Sequence, residues 1–144
     1  MHTPASIARH PIHPMLVTIP IGLWVFSFIC DLMSLRVGEQ PVWAVVAVYC
    51  MFGGIVGALV AAIPGLIDLL SLKQPVRKIA LMHMGINLAV VALYAFNVRS
   101  RFPDPEPETW QILLSLATIL MLLVSGWLGG KMVYEHRVGV DTPA

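Results

Sequence analysis

Apolar residues in this chain neither alternate nor keep to one helical face. They come in four long runs, about 15–35, 43–72, 77–97 and 109–134. A helix needs about 20 mostly apolar residues to cross a bilayer, and each run meets that length. The second and fourth are long enough to tilt or to overrun the hydrocarbon. Lipid offers backbone groups no partners, so helices are the economical way to span it. The links are short and polar: "RVGEQP" (36–41), "KQPVRK" (73–78) and the proline-broken "RSRFPDPEPE" (99–108). Short links make neighbours antiparallel. The pattern therefore predicts an all-α integral membrane protein, an up-down-up-down four-helix bundle over 15–136. An N-terminal His-Pro arm (1–14) precedes it and a tail (137–144) follows. The first run exceeds a signal h-region of about 7–15 residues and no small-x-small cleavage site follows it, so it reads as a retained anchor.

Composition sharpens this picture. Hydrophobic residues make up 58% of the chain and charged residues 12%, with a mean hydropathy of +0.81. A soluble domain carries about a quarter charged residues, so the expected surroundings are a lipid bilayer. The net charge of +1, with no basic run, argues against nucleic acid. Cys30 and Cys50 form neither CxxC nor CxxCH, which excludes a thioredoxin-like motif and covalent c-type haem attachment. No nucleophile with a base, P-loop or HExxH is present, so a redox carrier fits better than a catalyst.

With four spans, both termini and the 73–78 link share one side. That side holds Arg9, Lys73, Arg77, Lys78, Lys131 and Arg137. The other holds Arg36, Arg99 and Arg101 among four acids. The excess of basic residues predicts cytoplasmic termini in a multi-pass inner-membrane protein. Trp43 and Trp110 open two spans at the opposite interface.

Every histidine maps to the terminal side: His2, His10 and His13 before the first span, His83 inside the third, His136 at the end of the fourth. An ionisable group within a span is expensive and is a functional hypothesis by default. His83 is therefore the sharpest candidate, with Asn87 one turn further along its face; the alternative is a histidine merely hydrogen-bonded within the bundle. In "HPIHP", each histidine precedes a proline and is biased toward extended geometry. That predicts a stiff lead-in with the helix starting near Pro14, or else prolines that simply mark a helix start. Asp68 reads as a proton carrier, a partner orienting an imidazole, or an ion-pair partner for Lys73 or Arg77. Asp31 reads as interfacial and without a role. Gly53, Gly57, Ala61 and Gly65, and again Gly126 and Gly130, form small-residue stripes. Such stripes let helices pack closely; alternatively they clear room for a flat cofactor.

The segments "RHPIHPMLVTIPIGLWVFSFICDL", "PGLIDLL", "LMHMGINL" and "GWLGGKMVYEHRVGV" together resemble the bacterial and archaeal membrane domain of unknown function 2231, from about residue 9 to 140. The resemblance implies a four-helix membrane domain, and some relatives are joined to Rieske-type iron–sulfur domains. It implies no settled activity. By motif match, the marked polar positions fall on His10, His13, Asp68, His83 and His136. This chain has no iron–sulfur ligand set, so a Rieske-type or other electron carrier would be a separate partner.

Three functions are compatible with these residues. The first is electron transfer through haem b, one or two per chain, with axial imidazoles drawn from His10, His13, His83 and His136. Arg9, Arg77 and Lys78 would then face the propionates, and Asp68 and Asn87 would support the ligands. The second is a Zn, Fe or Cu site on the same four histidines. The third is a cofactor-free channel, proton path or scaffold. Glycine faces also make a homodimer plausible.

Overall fold

The computed structural model describes residues 3–36 and 41–140. His2, the Gly38–Glu39 part of the first link and the end of the tail with Asp141 lie outside the described residues. The order is a small hairpin, β1 (Ser6–Ile7) and β2 (His10–Pro11), then α1 (Ile12–Leu16), α2 (Thr18–Arg36), α3 (Val42–Ser71), α4 (Val76–Ser100) and α5 (Thr109–Tyr134). Four segments are long and apolar enough to cross a membrane: Ile12–Arg36, Val42–Ser71, Val76–Ser100 and Thr109–Tyr134. The fold is all-α, as the hydropathy pattern predicts.

Prolines and caps set the helix ends. Pro11, Pro41 and Pro75 occupy N-cap positions of α1, α3 and α4, where a missing N–H costs nothing. At α5 a capping box does the work: the Glu108 N–H donates to Gln111 Oε1 at 2.7 Å while Glu108 caps the backbone in return. The first span is broken at Val17, between α1 and α2, three residues before the buried Pro20.

Side-chain contacts give the helix directions. Along α2, Leu23 and Pro20 approach Gly53 and Gly57 of α3, while His13 of α1 approaches Gly65. Rising numbers meet falling ones, so α3 runs back against the first span. Asn97 bonds Gln111 and Ser115, while Asn87 bonds Ser125, so α4 and α5 also run in opposite directions. The stripe on α3 is thus filled by side chains of the first span, which is the packing reading. The stripe on α5 behaves differently. A Cβ at Gly126 would meet nothing, and the glycine that approaches another helix is Gly129.

The mid-bundle core is Trp24, Met51, Val90 and Tyr94. Trp24 stacks on Tyr94 with centroids 4.6 Å apart and planes within 5°. Its indole N–H donates to the Met51 carbonyl at 3.2 Å, and Gly54 is the position where the indole lies against α3 without room for a Cβ. A second cluster, Leu69, Leu72, Val76 and Ala80, closes the α3–α4 link, with Val138 of the tail packed on it. Outside the core, large apolar side chains such as Leu70, Leu123 and Trp127 are exposed, the surface a chain presents to lipid rather than water.

At the α4–α5 link end lies a closed polar network. Arg101 donates to both Asp31 oxygens, at 2.6 and 2.8 Å, and both side chains have zero exposure. Arg101 Nε donates to Asn97 Oδ1 at 3.0 Å, and Asn97 Nδ2 donates to Gln111 O and Ser115 Oγ. Asp31 is therefore not without a role. It is a buried anchor that ties α2 to the end of α4 and the start of α5.

Candidate functional site

The other polar cluster is built from the arm upward. β1 and β2 pair as Ser6 with Pro11 and Ile7 with His10, leaving a two-residue turn of Ala8 and Arg9. Both have positive φ, 48° and 66°. Such turns favour Asn-Gly, and a Cβ in that region costs roughly 1–2 kcal/mol per residue. The arm is held from outside. The Ala5 N–H donates to Asp68 Oδ1 at 2.9 Å, and the Ala5 carbonyl accepts from the Ile12 N–H at 3.0 Å. The tail packs over it too: a Cβ on Gly139 would lie 3.2 Å from Pro11.

His10–Pro11 is extended, as the proline rule predicts. His13 is not. It lies inside α1 although Pro14 follows it, because Pro14 falls in the first turn, where backbone N–H groups have no intrahelical partner to lose. The helix thus begins at Ile12, ahead of Pro14.

The His13 and His83 rings lie with centroids 6.2 Å apart and planes 87° apart. Both rings are half-buried. His13 Nδ1 lies 2.8 Å from the carbonyl of Ala61. His83 Nδ1 lies 2.9 Å from both the carbonyl and the hydroxyl of Ser125. A carbonyl oxygen only accepts, so each Nδ1 carries the proton. In its neutral form each imidazole therefore keeps a lone pair on Nε2, the arrangement of a ligating histidine whose other nitrogen is anchored. Asn87 Nδ2 donates to Ser125 Oγ at 2.7 Å and to the His83 carbonyl at 2.8 Å, so it fixes the hydroxyl on which His83 rests.

Two glycines make room for the rings. A Cβ at Gly65 would sit 2.8 Å from His13 Nδ1, while one at Gly129 would sit 3.5 Å from His83 Cε1. The Ala61 carbonyl and Gly65 flank Pro64, a proline inside α3.

The remaining candidates lie around this pair. His10 is exposed, with Nδ1 2.8 Å from the carbonyl of Ala8 in its own turn. His136 is half-buried in the turn after α5. Among the described residues no third His, Cys, Asp or Glu joins the pair in a metal-sized cluster. Arg9, Arg77 and Lys78 are exposed. Asp68 contacts the arm backbone rather than an imidazole.

The family model described as a predicted membrane protein, DUF2231, matches residues 9–142. The chain belongs to this family. No curated protein and no solved structure matches it. The family match spans both polar clusters, from Arg9 in the arm to the tail.

Sequence reasoning missed Ser125 and the Ala61 carbonyl as partners, and the Asp31–Arg101 anchor. A signal existed for the last. Asp31 stands within an apolar run, where an acid needs a named partner. "PG" at 64–65 inside a span was the available signal for the His13 seat.

Proposed function

We propose that this protein is a membrane-embedded electron-transfer protein that binds haem b between His13 and His83. The observation that carries the reading is the pair itself: two imidazoles 6.2 Å apart, each with Nδ1 satisfied by a main-chain carbonyl. A ligating nitrogen sits about 2 Å from its metal and roughly 1 Å from its ring centre. Two imidazoles on opposite sides of one iron therefore place their centroids about 6 Å apart. Haem brings four nitrogen donors of its own and asks the protein for two axial ligands, which is the number of imidazoles paired here. The donor set therefore fits the group.

Bound there, haem supplies reversible one-electron iron chemistry. The chain's own residues supply the rest. His13 and His83 would hold the haem iron, and the Ala61 and Ser125 carbonyls keep the protons on Nδ1 so that Nε2 stays available. Asn87 steadies Ser125. The exposed Arg9, Arg77 and Lys78 supply positive charge at the same end of the bundle, suited to propionates and to an anionic face on a redox partner, of Rieske type or otherwise. The excess of basic residues at that end supports cytoplasmic termini in the inner membrane.

The test is a reduced-minus-oxidised visible spectrum of protein purified in mild detergent from a haem-competent host. Sharpened α and β bands, lost in both His13→Ala and His83→Ala, are expected. A flat spectrum from folded wild-type protein sinks the reading. Elemental analysis of the same sample then separates a Zn, Fe or Cu site from a polar pair without a cofactor.

A further inference from the structure

We infer that Asp68 is the positioning residue of His13, and that it works through the backbone of the arm rather than on a ring. The inference deepens the reading of the His13–His83 pair and rests on it for function.

Three positions along one side of α3 receive the arm. The Ala61 carbonyl bonds the His13 ring, Gly65 leaves space for that ring, and Asp68 Oδ1 accepts the Ala5 N–H. Spacings of four and three residues put all three on one helix face. Ala5 is held at both ends. Its N–H goes to Asp68, and its carbonyl accepts from Ile12, the first residue of α1 and the neighbour of His13. A continuous path of bonds therefore runs from the Asp68 carboxylate to the backbone that carries the imidazole.

The arm needs this anchor for physical reasons. α1 has five residues, far below the length at which a helix sustains itself in isolation. It follows a turn in which Ala8 and Arg9 both sit in the left-handed region, an arrangement that persists only when surrounding contacts over-determine it. Asp68 supplies one of those contacts from the last turn of α3. Its task here is to accept one hydrogen bond, which a neutral amide oxygen also does. A proton carrier or an ion-pair partner would need the charge.

The experiment compares Asp68→Asn, Asp68→Ala and wild type. Two readouts need no cofactor: hydrogen exchange at the Ala5 amide, and the 15N signal of His13 Nδ1–H. The third is the haem spectrum. Asp68→Asn should match wild type in all three. Asp68→Ala should speed Ala5 exchange and release the His13 Nδ1–H signal. It should also weaken haem binding by roughly ten- to a hundredfold, as loss of a ligand's supporting shell does. Should Asp68→Ala fail to fold, Ala5→Pro deletes the same bond from the donor side, outside the long helices, and should release the His13 Nδ1–H signal and weaken haem binding in the same way. Asp68→Asn behaving like Asp68→Ala overturns the inference, because charge would then be the requirement. Unchanged Ala5 exchange with an unchanged His13 signal in Asp68→Ala, or an unchanged His13 signal in Ala5→Pro, overturns it too. If wild type shows no haem while the two arm readouts behave as expected, the cofactor reading fails and the positioning role stands.

Discussion

The bundle carries two polar clusters in opposite halves, and they are finished to different degrees. At the α4–α5 link end, Asp31 and Arg101 are wholly enclosed, and the bidentate pair is extended through Asn97 to Gln111 and Ser115. At the arm end, His13 and His83 are half-buried, each with one nitrogen anchored and the other left with a lone pair. A buried pair with its valences used up contributes structure. A half-buried pair with valences in reserve is the one on which the proposed function rests. The two are separated by fourteen residues of α4, from His83 to Asn97, about 21 Å along a helix.

The comparison can be broken most directly at the closed end. Arg101→Ala leaves the Asp31 carboxylate enclosed and unpaired, which should cost about 3–5 kcal/mol. The paired change Asp31→Leu with Arg101→Met should recover most of that loss. Unfolding in mixed micelles measures both, and a loss under about 1 kcal/mol for Arg101→Ala would show that the network is not the anchor described.

Glycine substitutions come next. Gly54→Ala drives a methyl into the Trp24 indole and should cost about 1–3 kcal/mol by overpacking. Gly65→Ala meets His13 at 2.8 Å and should displace the ring, which can move with its arm. Under the proposed haem reading, the expected signature is loss of the haem bands with a smaller change in the unfolding transition. Gly129→Ala at 3.5 Å is ordinary contact, so the spectrum should survive. Equal effects at Gly65 and Gly129 would mean that the seat of His13 is not the tight one.

The smallest effect belongs to single hydrogen bonds within the closed network. Ser115→Ala removes one acceptor of Asn97, and interhelical bonds of this kind average about 0.6 kcal/mol in membranes. Micelle unfolding of that variant beside Arg101→Ala ranks the two contributions inside one network.

The four spans and most of their ends were legible because span length, local hydropathy and proline position are properties of neighbouring residues. Pro41, Pro75 and Glu108 sit at the helix starts where local chemistry favours them. His83 was legible for the same reason, as an imidazole in an apolar run. The helical state of His13 was not, because the rule for a residue before proline competes with the freedom of a helix's first turn. The role of Asp31 was not legible because its partner stands seventy residues on.

By itself, then, the sequence determined an all-α membrane protein of four spans, its family, and a short list of histidines worth weighing. Tertiary structure decided which of them pair. It chose His83 for His13 through the register of α3 and α5, whose carbonyls at Ala61 and Ser125 receive the two rings. It gave Asp68 to the Ala5 backbone and Arg101 to Asp31. Apolar length can be read one segment at a time. Hydrogen-bond partners depend on where separate helices stop sliding against each other, and the glycine stripe, Trp24 and the buried ion pair fix that jointly.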